Sequence, residues 1–281
     1  MGGARAGPAR SARDVIRVAN APVSYGAFEL TVGVLPNVPG PEEVLDAIAG
    51  AGYAGTELGP LGYLGQGSVL RERLERRGLE LAGAFVQIRS GEDDFAELEA
   101  VLHVLDGFDA KPVLSDAGPR DGTADWDGIA RAAELARARG FQPTFHPHMG
   151  THVQSPGEIE QLLERTDVGL LLDTGHVLAA GGDPVQALRD WRERIDHVHV
   201  KDVRLDVLHA AHDWDEAWQR GVFCELGAGD VDLVTFLAEL GGYSGWLVVE
   251  QDWAPGEGDD ASIPAAAQRR NRRWLAENAG L

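Results

Sequence analysis

The residues of this chain that could do chemistry crowd into four short runs of its C-terminal half. TFHPH carries His146 and His148, and LLLDTGH carries Asp173 and His176. HVHVKD carries His197, His199, Lys201 and Asp202, and LVVEQD carries Glu250 and Asp252. Each run passes from apolar or β-branched residues to polar ones, the pattern of a buried strand that delivers functional groups at its C-terminal end. Side chains alternate along a strand, so Thr144, His146 and His148 share a face, as do His197, His199 and Lys201. Singly, a core histidine is explained by a hydrogen bond, and an aspartate before Thr-Gly by a turn. Four strand ends converging on one point are harder to explain that way, because buried polar groups are costly unless paired, hydrogen-bonded or metallated. Two imidazoles and two carboxylates form a mixed nitrogen–oxygen donor set suited to Mn²⁺, Co²⁺, Fe²⁺ or Zn²⁺, and less readily to Ca²⁺.

Such convergence needs strands whose ends meet. Strand-like runs fall at 16–20, 55–58, 79–87, 112–116, 142–146, 168–173, 197–201 and 246–250. Amphipathic stretches lie between and after them at 41–51, 69–77, 94–107, 127–139, 156–165, 184–194, 232–240 and 263–277. Ser155-Pro156 and Asp183-Pro184 are N-cap-then-proline helix starts. Alternation of this length leaves a closed barrel or an open doubly wound sheet. The open sheet announces itself with a glycine-rich phosphate loop after its first strand, and NAPVSYGAFEL here contains no G-x-G-x-x-G. The expectation is a single-domain (β/α)₈ TIM barrel over 14–281, with its site built from the loops after the strands. Residues 1–13 read as a flexible tail, and 202–230 as an insertion long enough to act as a lid.

The rest of the chain is less specific. Glu57 ends the second strand within GTELGP and faces either the site or a salt bridge; GPLGYLGQG lacks the GK[ST] of a phosphate loop. Trp214 and Trp218, four apart, share one face of a helix in the insertion and suit packing or stacking on a sugar. QRRNRRW reads as the exposed face of the last helix. The net charge of −20 argues against nucleic acid and anionic membrane surfaces as partners. No apolar run is long enough for a membrane span. Cys224 is the sole cysteine, which excludes an intrachain disulfide, and the cytoplasm is the expected compartment. Lys111 and Lys201 are the only lysines, so amine chemistry has two candidates.

The stretches HPHMGTHVQSPGEIEQLLERTDVGLLLDTGH, IDHVHVKDVRLDVL, RGVFCELGAGDVDL and YSGWLVVEQD resemble the xylose isomerase-like sugar isomerase/epimerase superfamily, and within it the inosose dehydratases. The N-terminal half matches mainly in GYAGTELGP. The resemblance implies a barrel holding one divalent ion, manganese or cobalt foremost, with zinc, iron or magnesium as alternatives. Carried over by position, the ligands are His146, Asp173, His199 and Glu250. Lys201 and His176 are then the expected acid/base pair, and His148, Glu57 and Arg204 the expected substrate-binding groups. The implied reaction is a lyase-type dehydration of a keto-cyclitol or keto-sugar. In the sugar epimerases of the superfamily the first ligand is a glutamate paired with the eighth-strand glutamate; His146 stands there in this chain, which favours elimination. Aldose–ketose isomerisation, 3-epimerisation and β-eliminating cleavage of a keto-glycoside, C-glycosides included, are the alternatives on the same site. A sugar-binding barrel without catalysis and an abasic-site endonuclease are the more distant ones. The partner expected is a small sugar or cyclitol, with homo-oligomerisation left open.

Overall fold

The computed structural model describes residues 16–89, 95–117 and 122–281. Seven parallel strands come first: β1 (Ile16–Asn20), β2 (Gly55–Glu57), β3 (Glu80–Arg89), β4 (Lys111–Ala117), β5 (Thr144–Phe145), β6 (Gly169–Asp173) and β7 (Ile195–Val200). The short strands β8 (Asp202–Val203) and β9 (Phe223–Cys224) form a separate antiparallel pair. β10 (Gly245–Val249) then pairs with β7 on one side and β1 on the other, closing an eight-stranded barrel. The fold is a (β/α)₈ TIM barrel.

Period-two alternation sorts the barrel's side chains. Val198, Val200, Leu247 and Val249 join the large cluster between strands and surrounding helices, with Leu45, Leu102, Leu162, Leu188 and Phe236. Fully burying one such side chain contributes roughly 1.5–3 kcal/mol. The intervening residues face the barrel interior, where Ala19, Ala82, Trp246 and Val248 make a small second cluster. His197 and His199 fall on the same inward alternation, which puts two imidazoles where the other strands place alanine and valine.

The helices begin where their caps dictate. α1 (Pro41–Ala51) carries proline in its first turn and stops at Gly52, whose φ of 89° is left-handed. α2 (Gly67–Glu75), α3 (Ala96–Leu105) and α4 (Trp126–Ala138) follow. α5 (Pro156–Arg165) starts in a capping box formed by Ser155 and Glu158. α6 (Thr174–Ala179) grows directly out of β6, and α7 (Pro184–Trp191) is capped by Asp183 through the amides of Val185 and Gln186. α8 (Leu205–Ala210) and α9 (Trp214–Gln219) lie between β8 and β9; α10 (Leu233–Glu239) and α11 (Ser262–Ala279) complete the chain.

Several boundaries differ from the sequence reading. β5 shrinks from 142–146 to two residues because Pro143 and Pro147 flank it and lack an N–H for the ladder. The His146 amide still donates to the Leu114 carbonyl at 2.7 Å, so the chain leaves the barrel in register. α6 falls inside a run read as strand and turn, and α7 ends at Trp191, short of 194. The segment 1–13, read as a tail, and position 94 lie outside the described residues.

The long connection after β7 has its own small core of Val203, Ala217, Val222 and Phe223, packed on Leu178 and Ala179. Its two ends meet at Asp202. One carboxylate oxygen accepts from the amides of Val203 and Val231, at 2.9 and 3.1 Å. The other accepts from Gly227 and Gly229, at 2.8 and 3.0 Å. A Cβ on Gly229 would lie 2.4 Å from Asp202 Oδ1, so glycine is required for this approach. No helix among the described residues is long and apolar enough to cross a membrane.

Candidate metal centre and active site

Strand register brings the polar ends together. Asp173, the last residue of β6, pairs with His199 of β7, and His199 pairs with Val248 of β10, two residues before Glu250. His146 immediately follows β5. One donor atom from each of His146, Asp173, His199 and Glu250 lies within 4.8 Å of every other, and all four residues are buried. His146 Nε2 is 3.6 Å from Asp173 Oδ2, and His199 Nδ1 is 3.7 Å from that oxygen and 3.0 Å from Glu250 Oε2.

Hydrogen bonds fix which atoms point inward. His146 Nδ1 lies 2.9 Å from the Pro147 carbonyl, an acceptor, so it carries the proton and leaves the Nε2 lone pair toward the cluster. His199 Nε2 lies 3.1 Å from Glu57 Oε1, which turns Nδ1 toward the cluster. Asp173 caps α6, its Oδ1 accepting from the His176 amide at 2.9 Å, so only Oδ2 faces inward. Asp173 Oδ2 and His199 Nδ1 are buried and meet only ionic neighbours, Lys201 Nζ at 3.3 Å and Glu250 Oε2 at 3.0 Å, without hydrogen-bond geometry. Two imidazole lone pairs and two carboxylates so arranged fit a divalent ion of the Mn²⁺, Co²⁺ or Zn²⁺ type.

Lys201, next inward after His199, stands beside this group. Its Nζ lies 2.9 Å from Glu250 Oε2, 3.3 Å from Asp173 Oδ2, 2.9 Å from Asp252 Oδ1 and 3.3 Å from His176 Nε2. Burial alone would lower the lysine pKa, but Asp173, Asp252 and Glu250 outweigh it and hold the amine charged. Burial and the charges of His148 and Lys201 push His176 well below the ordinary imidazole value. Burial, His146 and Lys201 take His148 down to about 3. Asp252 is pushed up to about 6 by burial, which Lys201 opposes and Glu250 reinforces. The rings of His148 and His176 lie against each other, tilted by 45°, with centroids 4.0 Å apart. Phe85 sets its edge on His146, and Trp214 and Phe223 from the long connection approach His176 at 6.1 and 5.5 Å.

Glu57 and Arg204, two of the expected substrate-binding groups, make contacts of their own. Glu57 is buried behind the cluster, where Oε1 meets both His197 Nε2, at 3.0 Å, and His199 Nε2. It holds the histidine whose other ring nitrogen faces the site. Burial would raise its pKa, but the adjacent His199 and His197 lower it, so it is a carboxylate. Arg204 reaches across the long connection to the Gly221 carbonyl. Arg204 lies beyond β7 and β8, at the N-cap of α8. His148, by contrast, sits against His146 and His176. Sequence reasoning left unassigned the bracing His197, the lysine partner Asp252 and the pair Asp116–His152. In that pair the Asp116 carboxylate, near the end of β4, accepts from the His152 amide at 2.9 Å and meets its ring at 3.0 Å. The inward period of HVHVKD offered a signal for His197; nothing local offered one for the contact of Asp116 with His152.

Residues 45–278 match the family described as xylose isomerase-like TIM barrel. The chain is 38% identical over 247 residues to the rhizopine catabolism protein MocC of Rhizobium meliloti, covering 77% of this chain and 76% of that one. It is 32% identical over 280 residues to an inosose dehydratase of Geobacillus kaustophilus, covering 85% and 88%. Among solved structures, the probable 3-DHS dehydratase AsbF of Bacillus anthracis superposes with a TM-score of 0.68 at 16% identity, covering 93% of this chain and 99% of that one. Closed barrel, strand-end cluster and sequence agree: the chain belongs to the xylose isomerase-like TIM-barrel family.

Proposed function

We propose that this protein is a divalent-metal-dependent lyase that removes water by β-elimination from a small keto-cyclitol or keto-sugar. His146, Asp173, His199 and Glu250 would hold the ion, with Mn²⁺ or Co²⁺ the best match to the donor set. When bound, the ion supplies a Lewis acid that polarises the substrate carbonyl and acidifies the adjacent C–H. The protein's own groups carry the protons. Lys201 Nζ, an ammonium between three carboxylates, gives a proton to the departing hydroxyl. His176, on a ring kept neutral by burial and 3.3 Å from that ammonium, completes the acid/base pair that serves the α-proton. His148 beside it is a hydrogen-bond partner for a substrate hydroxyl. Trp214 and Phe223 make the connection after β7 a lid that excludes water.

The observation that carries elimination over inversion is the state of His146. Its Nδ1 is committed to the Pro147 carbonyl and its Nε2 to the cluster, so His146 itself has no nitrogen left to accept a substrate proton. Inverting a carbon centre requires proton transfer on both faces. Elimination requires a base and an acid serving adjacent carbons, and Lys201 Nζ and His176 Nε2 stand 3.3 Å apart. The names of the dehydratase relatives support the same reading. The test is incubation with 2-keto-myo-inositol and Mn²⁺ in deuterated water, followed by NMR. A dehydrated product is expected. Interconversion of epimeric ketoses, with deuterium at the inverted carbon and no dehydrated product, would overturn the proposal.

A further inference from the structure

Lys201 is held by more of the structure than an acid requires. Its ammonium touches two groups at once: Asp173 and Glu250, shared with the proposed ion, and His176 and Asp252 on the far side. His148, His176 and Asp252 form a metal-ligating set of their own, with one donor atom from each within 4.8 Å of the others. An ammonium between two donor sets, sharing carboxylates with the first, occupies the place of the second cation in a carboxylate-bridged pair.

The DTGH run builds the slot. Asp173 pairs with the ammonium. Thr174 Oγ1 accepts from the Lys201 amide at 2.9 Å and donates to its carbonyl at 2.7 Å, locking the backbone. Gly175 leaves room for the stem, since a Cβ there would lie 2.9 Å from Lys201 Cγ and 3.0 Å from its Cβ. His176 closes the end. The Phe223 ring covers the ammonium, with Nζ 4.7 Å from its centroid.

Resting on the metal reading above, we infer that Lys201 is a built-in cation that fills a latent second divalent-metal site made by His148, His176 and Asp252. Only one ion then binds per chain, and the second cation of the centre is one that also bears protons. Removing the ammonium and its stem leaves two buried carboxylates, the half-buried Asp252 and two imidazoles around the vacated space, which a second divalent ion would fill.

The experiment is equilibrium dialysis of the intact protein and its Lys201→Ala variant against Mn²⁺, with elemental analysis, thermal unfolding and Mn²⁺ electron paramagnetic resonance. The unmodified protein is expected to hold one ion and Lys201→Ala two, with a spin-coupled signal. Adding His176→Ala to that variant should return the count to one. Mn²⁺ should raise the variant's melting temperature more than that of the unmodified protein, because the ion replaces a lost charge. A variant that saturates at one ion, or stays unfolded at all Mn²⁺ concentrations, overturns the inference while leaving the metal reading intact. Two ions in the unmodified protein overturn it as well, whereas none would remove the metal reading and this inference with it.

Discussion

Glu57→Gln isolates the group that orients a proposed metal ligand without touching the ligand. Glu57 Oε1 meets both His197 and His199 through their Nε2 atoms, 3.0 and 3.1 Å away. Glutamine keeps the shape and one oxygen acceptor but removes the charge. A hydrogen bond to a charged group contributes about 1.5–3 kcal/mol and a neutral one about 0.5–1.5 kcal/mol. The exchange at His199 therefore costs about 1–1.5 kcal/mol of ligand orientation and donor strength. At about 1.4 kcal/mol per decade that is close to tenfold in affinity, the lower edge of the roughly 10–100-fold losses typical when a ligand histidine loses its supporting partner. Competition between the protein and a fluorescent chelator for Mn²⁺ measures it directly. The Kd should rise about tenfold while circular dichroism is unchanged, and the Michaelis constant, taken at saturating metal, should move little. An unchanged Mn²⁺ affinity in a folded variant would refute the bracing role. A large rise in the Michaelis constant alone would restore Glu57 as a substrate-binding group.

Asp173→Ala should lose metal binding altogether, read by elemental analysis, because it removes both the shared carboxylate oxygen and the cap of α6. Gly175→Ala should leave one bound ion but cut turnover by about 10²-fold, the order expected when a reacting group is displaced by about 1 Å; full activity would show that the lysine stem has slack. In metal-free protein, Glu250 has a pKa near 2: burial would raise it, but His199 and Lys201 pull it down. A depressed carboxylate stabilises the fold above its unfolded pKa of about 4.3 and loses that contribution as pH falls toward the folded value. The melting temperature, corrected with a Glu250→Gln control, should therefore fall between about pH 4.3 and 2; a flat difference across that window would contradict the pairing.

The barrel was legible because its signals are local and repeated. Apolar runs ending in polar residues marked the strands, and Ser155-Pro156 and Asp183-Pro184 marked the starts of α5 and α7. Period-two alternation also placed His197, His199 and Lys201 on one inward face. What alternation does not encode is which ring nitrogen points where, or what stands behind it. Glu57 lies 142 positions from His199 in sequence, and only closure of the barrel brings them together. α6 was missed because Asp173 serves two purposes: one oxygen caps a helix while the other faces the cluster, so the DTGH run resembles a turn when read alone.

The grip of Asp202 on both ends of the connection after β7 makes that connection an exchangeable cassette. One buried carboxylate collects the amides of Val203, Gly227, Gly229 and Val231, so entry and exit are fixed to the same point on the barrel rim. Lengthening such a closed loop costs little, about 0.6 kcal/mol per doubling. The segment between the clamped ends, which carries Trp214 and Phe223 to the mouth, can thus be rewritten in length and sequence while β7, Lys201 and α10 keep their places. A barrel built this way can change what it admits without disturbing how it reacts.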